Sequence, residues 1–121
     1  MLGSSYRLGD GSRIRLRVAA PSDGQRIAAL LAQTDGAAAE LAVQRLVRFD
    51  PRRRVVVCAT ALIDGAEVLV GVGAIELAAE GHAQRKPDVL LIAPEAPAGT
   101  GELLGGALIG RAQALARGRA A

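Results

Sequence analysis

The residues whose spacing carries the most chemistry are Ala98-Gly99-Thr100-Gly101, a small loop between an apolar run at 88–93 and a helical pattern beginning at about Glu102. Glycines let backbone amides approach a ligand, and the amides that open a helix, with the helix dipole behind them, favour a phosphate. In outline this is a pyrophosphate cradle. The same Gly-x-Gly is also what a flexible turn before a helix looks like. It is not a Walker loop, for want of Gly-Lys-Ser/Thr. Nor is it a dinucleotide fingerprint, for want of a third glycine and a surrounding βαβ unit.

Two groups of arginines come next. Arg13, Arg15 and Arg17 alternate with Ile14, Leu16 and Val18, and Arg52-Arg53-Arg54 precede the following apolar run. The first group reads either as an anion-binding stripe or as the solvated face of an edge or near-edge strand; the second reads either as a grip for a phosphate or as a solvated strand entry. Cys58 is the single cysteine. It lies in an apolar run with no histidine near it in sequence, the setting of a small buried hydrophobe rather than a nucleophile. His82 is the single histidine, so a Cys/His metal site or a Ser-His-Asp relay has almost nothing to draw on and no metal is expected.

Composition narrows the class. A chain of 121 residues, 50% hydrophobic and 22% charged, is one ordinary domain. Tyr6 and Phe49 are the only aromatics, so the core must be Ala, Val, Leu and Ile, and stacking platforms for bases are nearly absent. Lys86 is the only lysine among 15 basic residues; with 12 acidic residues interspersed the net charge is +3, too small and too scattered to argue for a nucleic-acid partner. The first ten residues show no export pattern, and no apolar stretch approaches about 18 residues, so the expectation is a cytoplasmic protein with no membrane partner.

The elements that would position these residues follow from periodicity. Residues 1–12 read as a flexible N-terminal arm and residues 13–121 as a single domain. Arg13–Val18 is a half-buried strand. Pro21-Ser22-Asp23-Gly24-Gln25 opens a helix, with Ser22 as cap and Gln25 reaching back to it; that helix stops at Thr34-Asp35-Gly36, and a second runs from about Ala37 to Arg48. Val55–Ile63 and Glu67–Leu77 are strands joined by the hairpin signal Asp64-Gly65. After a polar loop at 80–87, a short buried strand at 88–93 leads through the glycine loop into a helix over about 102–116. Strand, helix, helix, three strands and a helix make an α+β domain, a mostly antiparallel sheet covered by helices.

This order, together with Pro21-Ser22-Asp23, the Asp64-Gly65 hairpin leading to Val70-Gly71-Val72-Gly73, and Leu91-Ile92-Ala93-Pro94-Glu95 followed by Ala98-Gly99-Thr100-Gly101, resembles the GNAT superfamily of acyl-CoA-dependent N-acyltransferases. The likeness runs from about Arg13 to the end. It implies a mostly antiparallel sheet with helices on both faces. It also implies acetyl-CoA as substrate, its pantetheine arm on the backbone of Leu91 and Ile92 and its pyrophosphate on that of Gly99, Thr100, Gly101 and Glu102. Tyr6-Arg7-Leu8, Asp10-Gly11 and Asp50-Pro51-Arg52-Arg53-Arg54 most resemble the protein lysine acetyltransferase branch. The family's basic or glutamine loop position falls on Pro97 or Ala98, and its second small residue on Leu103.

Transfer to an amine needs a base, because an ammonium has no lone pair. The resemblance points to Asp88, just before the short buried strand, and Glu76, at the end of the strand before it. Each can also be an ordinary surface residue. The family continues past the helix that follows the loop, so on this reading the C-terminal half of the fold is missing and one sheet edge is open, inviting a homodimer through that edge. Two functions are therefore expected: an N-acetyltransferase using acetyl-CoA, or a non-catalytic GNAT-like module that senses CoA or binds a protein partner.

Overall fold

A computed structural model describes residues 5–9, 11–35, 53–76 and 89–120. The elements are β1 (Ser5–Arg7), β2 (Arg13–Val18), a 3-10 turn (Pro21–Asp23), α1 (Gly24–Asp35), β3 (Arg54–Ile63), β4 (Ala66–Glu76), β5 (Val89–Ile92) and α2 (Thr100–Ala120). The five strands form one antiparallel sheet in the order β1-β2-β3-β4-β5. The helix expected over 37–48 and the loop over 80–87 lie outside the described residues.

The stretch read as an arm contains a strand. Ser5, Tyr6 and Arg7 pair with Arg15, Ile14 and Arg13, and the half-buried Tyr6 packs on the core. Three residues with one apolar member give too short a period for sequence reading; pairing with β2 is what orders them. The capping of α1 also differs from expectation. Asp23, not Ser22, takes the exposed amide, that of Ala20, at 2.7 Å, because a 3-10 turn shifts the start of the helix to Gly24. The Asp64-Gly65 hairpin forms as expected, with φ of 52° and 80° at its two central residues.

Register assigns the faces. Leu16, Ala59 and Gly71 stand opposite one another across β2, β3 and β4, as do Arg17, Cys58 and Val72 on the other face. α2 lies on the first face. Its Leu104, Leu108 and Ala112, one turn apart, are fully buried, and Leu104 and Leu108 come down on Gly71 and Gly73. A Cβ at Gly73 would sit 2.5 Å from Leu108 Cδ1, so the glycine is what lets the helix approach. α1 packs against β4 and β5 from the second face, burying Ile27, Leu30 and Leu31. Val55–Ala61 and Leu69–Ile75 are accordingly buried on both faces, and the expected α+β architecture, a helix on each side of an antiparallel sheet, is the observed one.

Candidate functional site

β4 carries an irregularity where β5 leaves it. The register steps from Ala59↔Gly71 to Thr60↔Leu69, so Val70 has no partner in β3, a bulge, and its carbonyl accepts the Ala93 amide at 2.8 Å. That bond fixes the phase of β5. Inward-facing amides alternate at Ala93, Leu91 and Val89, and those of Ile92 and Leu90 face away from β4, on the side where no described strand pairs with β5. Of the two residues singled out for a pantetheine arm, Ile92 thus offers its backbone outward while Leu91 faces Val72. Leu90, part of the run expected to form a buried strand, is instead 44% exposed.

Past β5 the chain turns through Pro94–Gly99 into α2. Ala96 N–H donates to Ala93 O, and the Thr100 amide and hydroxyl both donate to Pro97 O, at 3.2 and 2.6 Å. Thr100 is buried, so its side chain locks the turn from inside and only its position belongs to the loop's outer surface. Gly99 is exposed with φ of 94°, a conformation open to glycine alone without strain. Its C=O accepts from Leu103 N–H at 3.1 Å. The amides of Gly101 and Glu102, between those two bonds, belong to the first turn that any helix leaves without an internal acceptor. A Cβ on Gly99 would meet Leu8 Cδ2 at 3.5 Å, so the turn after β1 stands beside this loop. Glu102 is exposed and puts a carboxylate in that same turn.

The loop and Glu76 do not come together. Glu76 is the exposed last residue of β4, five residues beyond Gly71 and so about 17 Å along the strand from the loop end of the sheet. Asp88 lies outside the described residues, as does His82. Cys58 is fully buried, and burial pushes its thiol up to about 12, which removes it as a nucleophile. Among the described residues no three His, Cys, Asp or Glu side chains cluster as metal ligands, and no helix is long and apolar enough to cross a membrane.

An antiparallel sheet with α1 and α2 on opposite faces, a bulge before the last strand and a glycine loop feeding α2 define the GNAT fold. The chain is similar to the crystal structure of the GNAT domain of PAT from S. lividans, with a TM-score of 0.66, 21% identity, and coverage of 96% of this chain and 72% of that one. At that identity the likeness is one of fold. No protein-family model and no curated protein matches the sequence.

Proposed function

We propose that this domain binds acetyl-CoA at the Gly99–Glu102 turn and along the open edge of β5, and transfers the acetyl group to an amine. What supports the reading is one arrangement: a glycine at φ of 94° and the first-turn amides of α2 sit directly past a strand whose edge residues, Leu90 and Ile92, face outward. The turn takes the pyrophosphate on the amides of Gly101 and Glu102, while Gly99 and Thr100 shape the backbone that presents them. The edge takes the amide groups of the pantetheine arm as a further strand would be taken. The acceptor nitrogen attacks the thioester carbonyl, a C–N bond forms as the C–S bond breaks, and the proton lost by the nitrogen ends on the CoA sulfur. Glu76, at the far end of β4, and Asp88, preceding β5, are the carboxylates proposed to take the earlier proton, the one an ammonium must lose before its nitrogen can attack. A lysine side chain of a protein is the acceptor that the Tyr6-Arg7-Leu8 and Asp50-Pro51 likeness favours, and the cytoplasm the proposed location.

One observation favours a second reading. Glu102 puts a negative charge in the first turn of α2, which opposes a pyrophosphate there and suits a non-catalytic module that senses CoA or binds a partner. A homodimer through β5 would use the same outward groups of Leu90 and Ile92, so dimer and CoA complex exclude one another. Calorimetric titration with acetyl-CoA and CoA at moderate salt tests the proposal. Saturable micromolar binding supports it and justifies an acceptor screen by mass spectrometry; absence of binding sinks it.

A further inference from the structure

The second face of the sheet is left uncovered by the described helices at its β1–β2 end, and a half-open cavity of about 220 Å³ lies there. Its lining comes from Ser5, Arg13, Arg15, Thr60, Leu62 and Glu67, with the backbone of Ala61. Strand register explains the set. Ser5 pairs with Arg15, Arg15 with Thr60, and Leu62 with Glu67, so alternate residues of four strands meet on one side. This is the face opposite α2, away from the Gly99 turn.

Three features of the cavity call for a ligand. Thr60 is 1% exposed and its hydroxyl has no hydrogen-bond partner, whereas a valine of the same shape and equal strand preference would leave nothing unsatisfied. Of the lining cations, Arg15 has only a loose, exposed approach to Glu67 at 4.0 Å. Arg13 makes no ion pair among the described residues. Arg17, by contrast, is fully engaged with Asp23 and contributes nothing here. The third feature is Leu62, the most exposed large apolar side chain described, at 69%, forming one wall.

We propose that this cavity is a binding site for a small organic monocarboxylate. Two guanidiniums against one carboxylate leave a single positive charge, which matches a monoanion better than a phosphate dianion. The planar fork of Arg13 suits a carboxylate, the Thr60 hydroxyl, brought to the cavity surface by rotation about χ1, donates to its second oxygen, and Leu62 covers a short alkyl tail. The volume admits a body of a few carbons and not a folded peptide. The site stands independently of the acetyl-CoA reading, since it lies on the other side of the sheet.

The test is titration of the intact protein with butyrate, followed by amide chemical shifts in NMR, with inorganic phosphate and a glutamate-containing peptide as parallel probes. Butyrate is expected to saturate and to shift Thr60 and its neighbours. Thr60→Val is expected to raise the melting temperature while weakening butyrate by about fivefold, and Arg13→Gln to weaken it by about tenfold without unfolding. Unchanged butyrate affinity in both variants overturns the proposal, as does tighter binding of phosphate. Tighter binding of the peptide overturns the free acid as ligand and assigns the cavity to an acidic side chain of a partner.

Discussion

Arg17 holds Asp23 through two parallel hydrogen bonds, Nη1 to Oδ2 at 2.7 Å and Nη2 to Oδ1 at 2.6 Å, across the joint between β2 and α1. The Asp23 side chain is 4% exposed and Arg17 30%, so the carboxylate is removed from water and the guanidinium is not. Asp23 also accepts the Ala20 amide, which ties the entry of α1 to the chain just past the end of β2. A bidentate charged pair with one further donor is the geometry in which a buried ion pair offsets its own desolvation.

The first prediction concerns this pair. The hydrogen bond from Arg17, aided by the Ala20 amide, outweighs desolvation and holds the Asp23 carboxyl below its ordinary value. A depressed folded value means that the contribution to stability is complete above the unfolded value of about 4 and is lost as pH falls through the folded one. Asp23→Ala leaves Arg17 unpaired and is expected to cost about 2–3 kcal/mol at pH 7, the lower side of the range for buried pairs because Arg17 keeps contact with water. Urea unfolding at pH 7 and pH 3 checks both parts: the variant should lose less stability between the two than the parent does.

A second prediction rests on Gly73. Alanine there would bring its Cβ within 2.5 Å of Leu108 Cδ1, and α2 has no room to retreat while Leu104 sits over Gly71. Gly73→Ala should therefore destabilise by about 1–3 kcal/mol despite alanine's better strand entropy. Combining it with Leu108→Ala should give a double variant more stable than the sum of the two single losses, measured by the same unfolding curves.

That glycine marks where the sequence was readable and where it was not. Strands β3 and β4, the Asp64-Gly65 hairpin and the end of α1 at Asp35 were legible because each is announced locally, by β-branched runs, turn chemistry or a break in period. β1 was not, since three residues carry no period and Tyr6 takes its place opposite Ile14 across the ladder. The Val70 bulge left a signal, two glycines inside a strand, but telling a bulge from a close helix contact needs the helix in place. Both are present: the bulge at Val70, the contact at Gly71 and Gly73. The arginine stripe shows the same limit. Alternation put Arg13, Arg15 and Arg17 on one face, yet only the fold separates Arg17, bonded to Asp23, from Arg13 and Arg15 on the cavity.

A third prediction is the inertness of Cys58. With its thiol pushed up to about 12 by burial, roughly one molecule in ten thousand carries a thiolate at pH 8, and no solvent reaches it. A chromogenic disulfide reagent should react with one thiol per chain in concentrated guanidinium chloride and with essentially none in the native protein over the same minutes. Rapid native reaction would mean that β3 opens far more readily than its burial allows.

The last prediction separates the two glycines of the loop. Gly99, at φ of 94°, should tolerate no side chain: Gly99→Ala strains the backbone by about 1–2 kcal/mol and reshapes the turn. Gly101 is different, for a Cβ there meets only Ile92 Cγ1 at 3.7 Å, an ordinary contact, and its place in the first turn of α2 favours alanine. Gly101→Ala should thus stabilise the fold by about 0.5–1 kcal/mol. If the first-turn amides receive a pyrophosphate, the added methyl obstructs the approach, and the same variant should lose acetyl-CoA affinity while its melting temperature rises. Glu102→Gln should act in the opposite sense, tightening acetyl-CoA by about two- to fivefold through removal of the opposing charge. Calorimetry alongside thermal melts reads both quantities. Parallel changes in stability and affinity would make the loop a purely structural turn, whereas opposed changes for Gly101→Ala fit a ligand lying against its backbone.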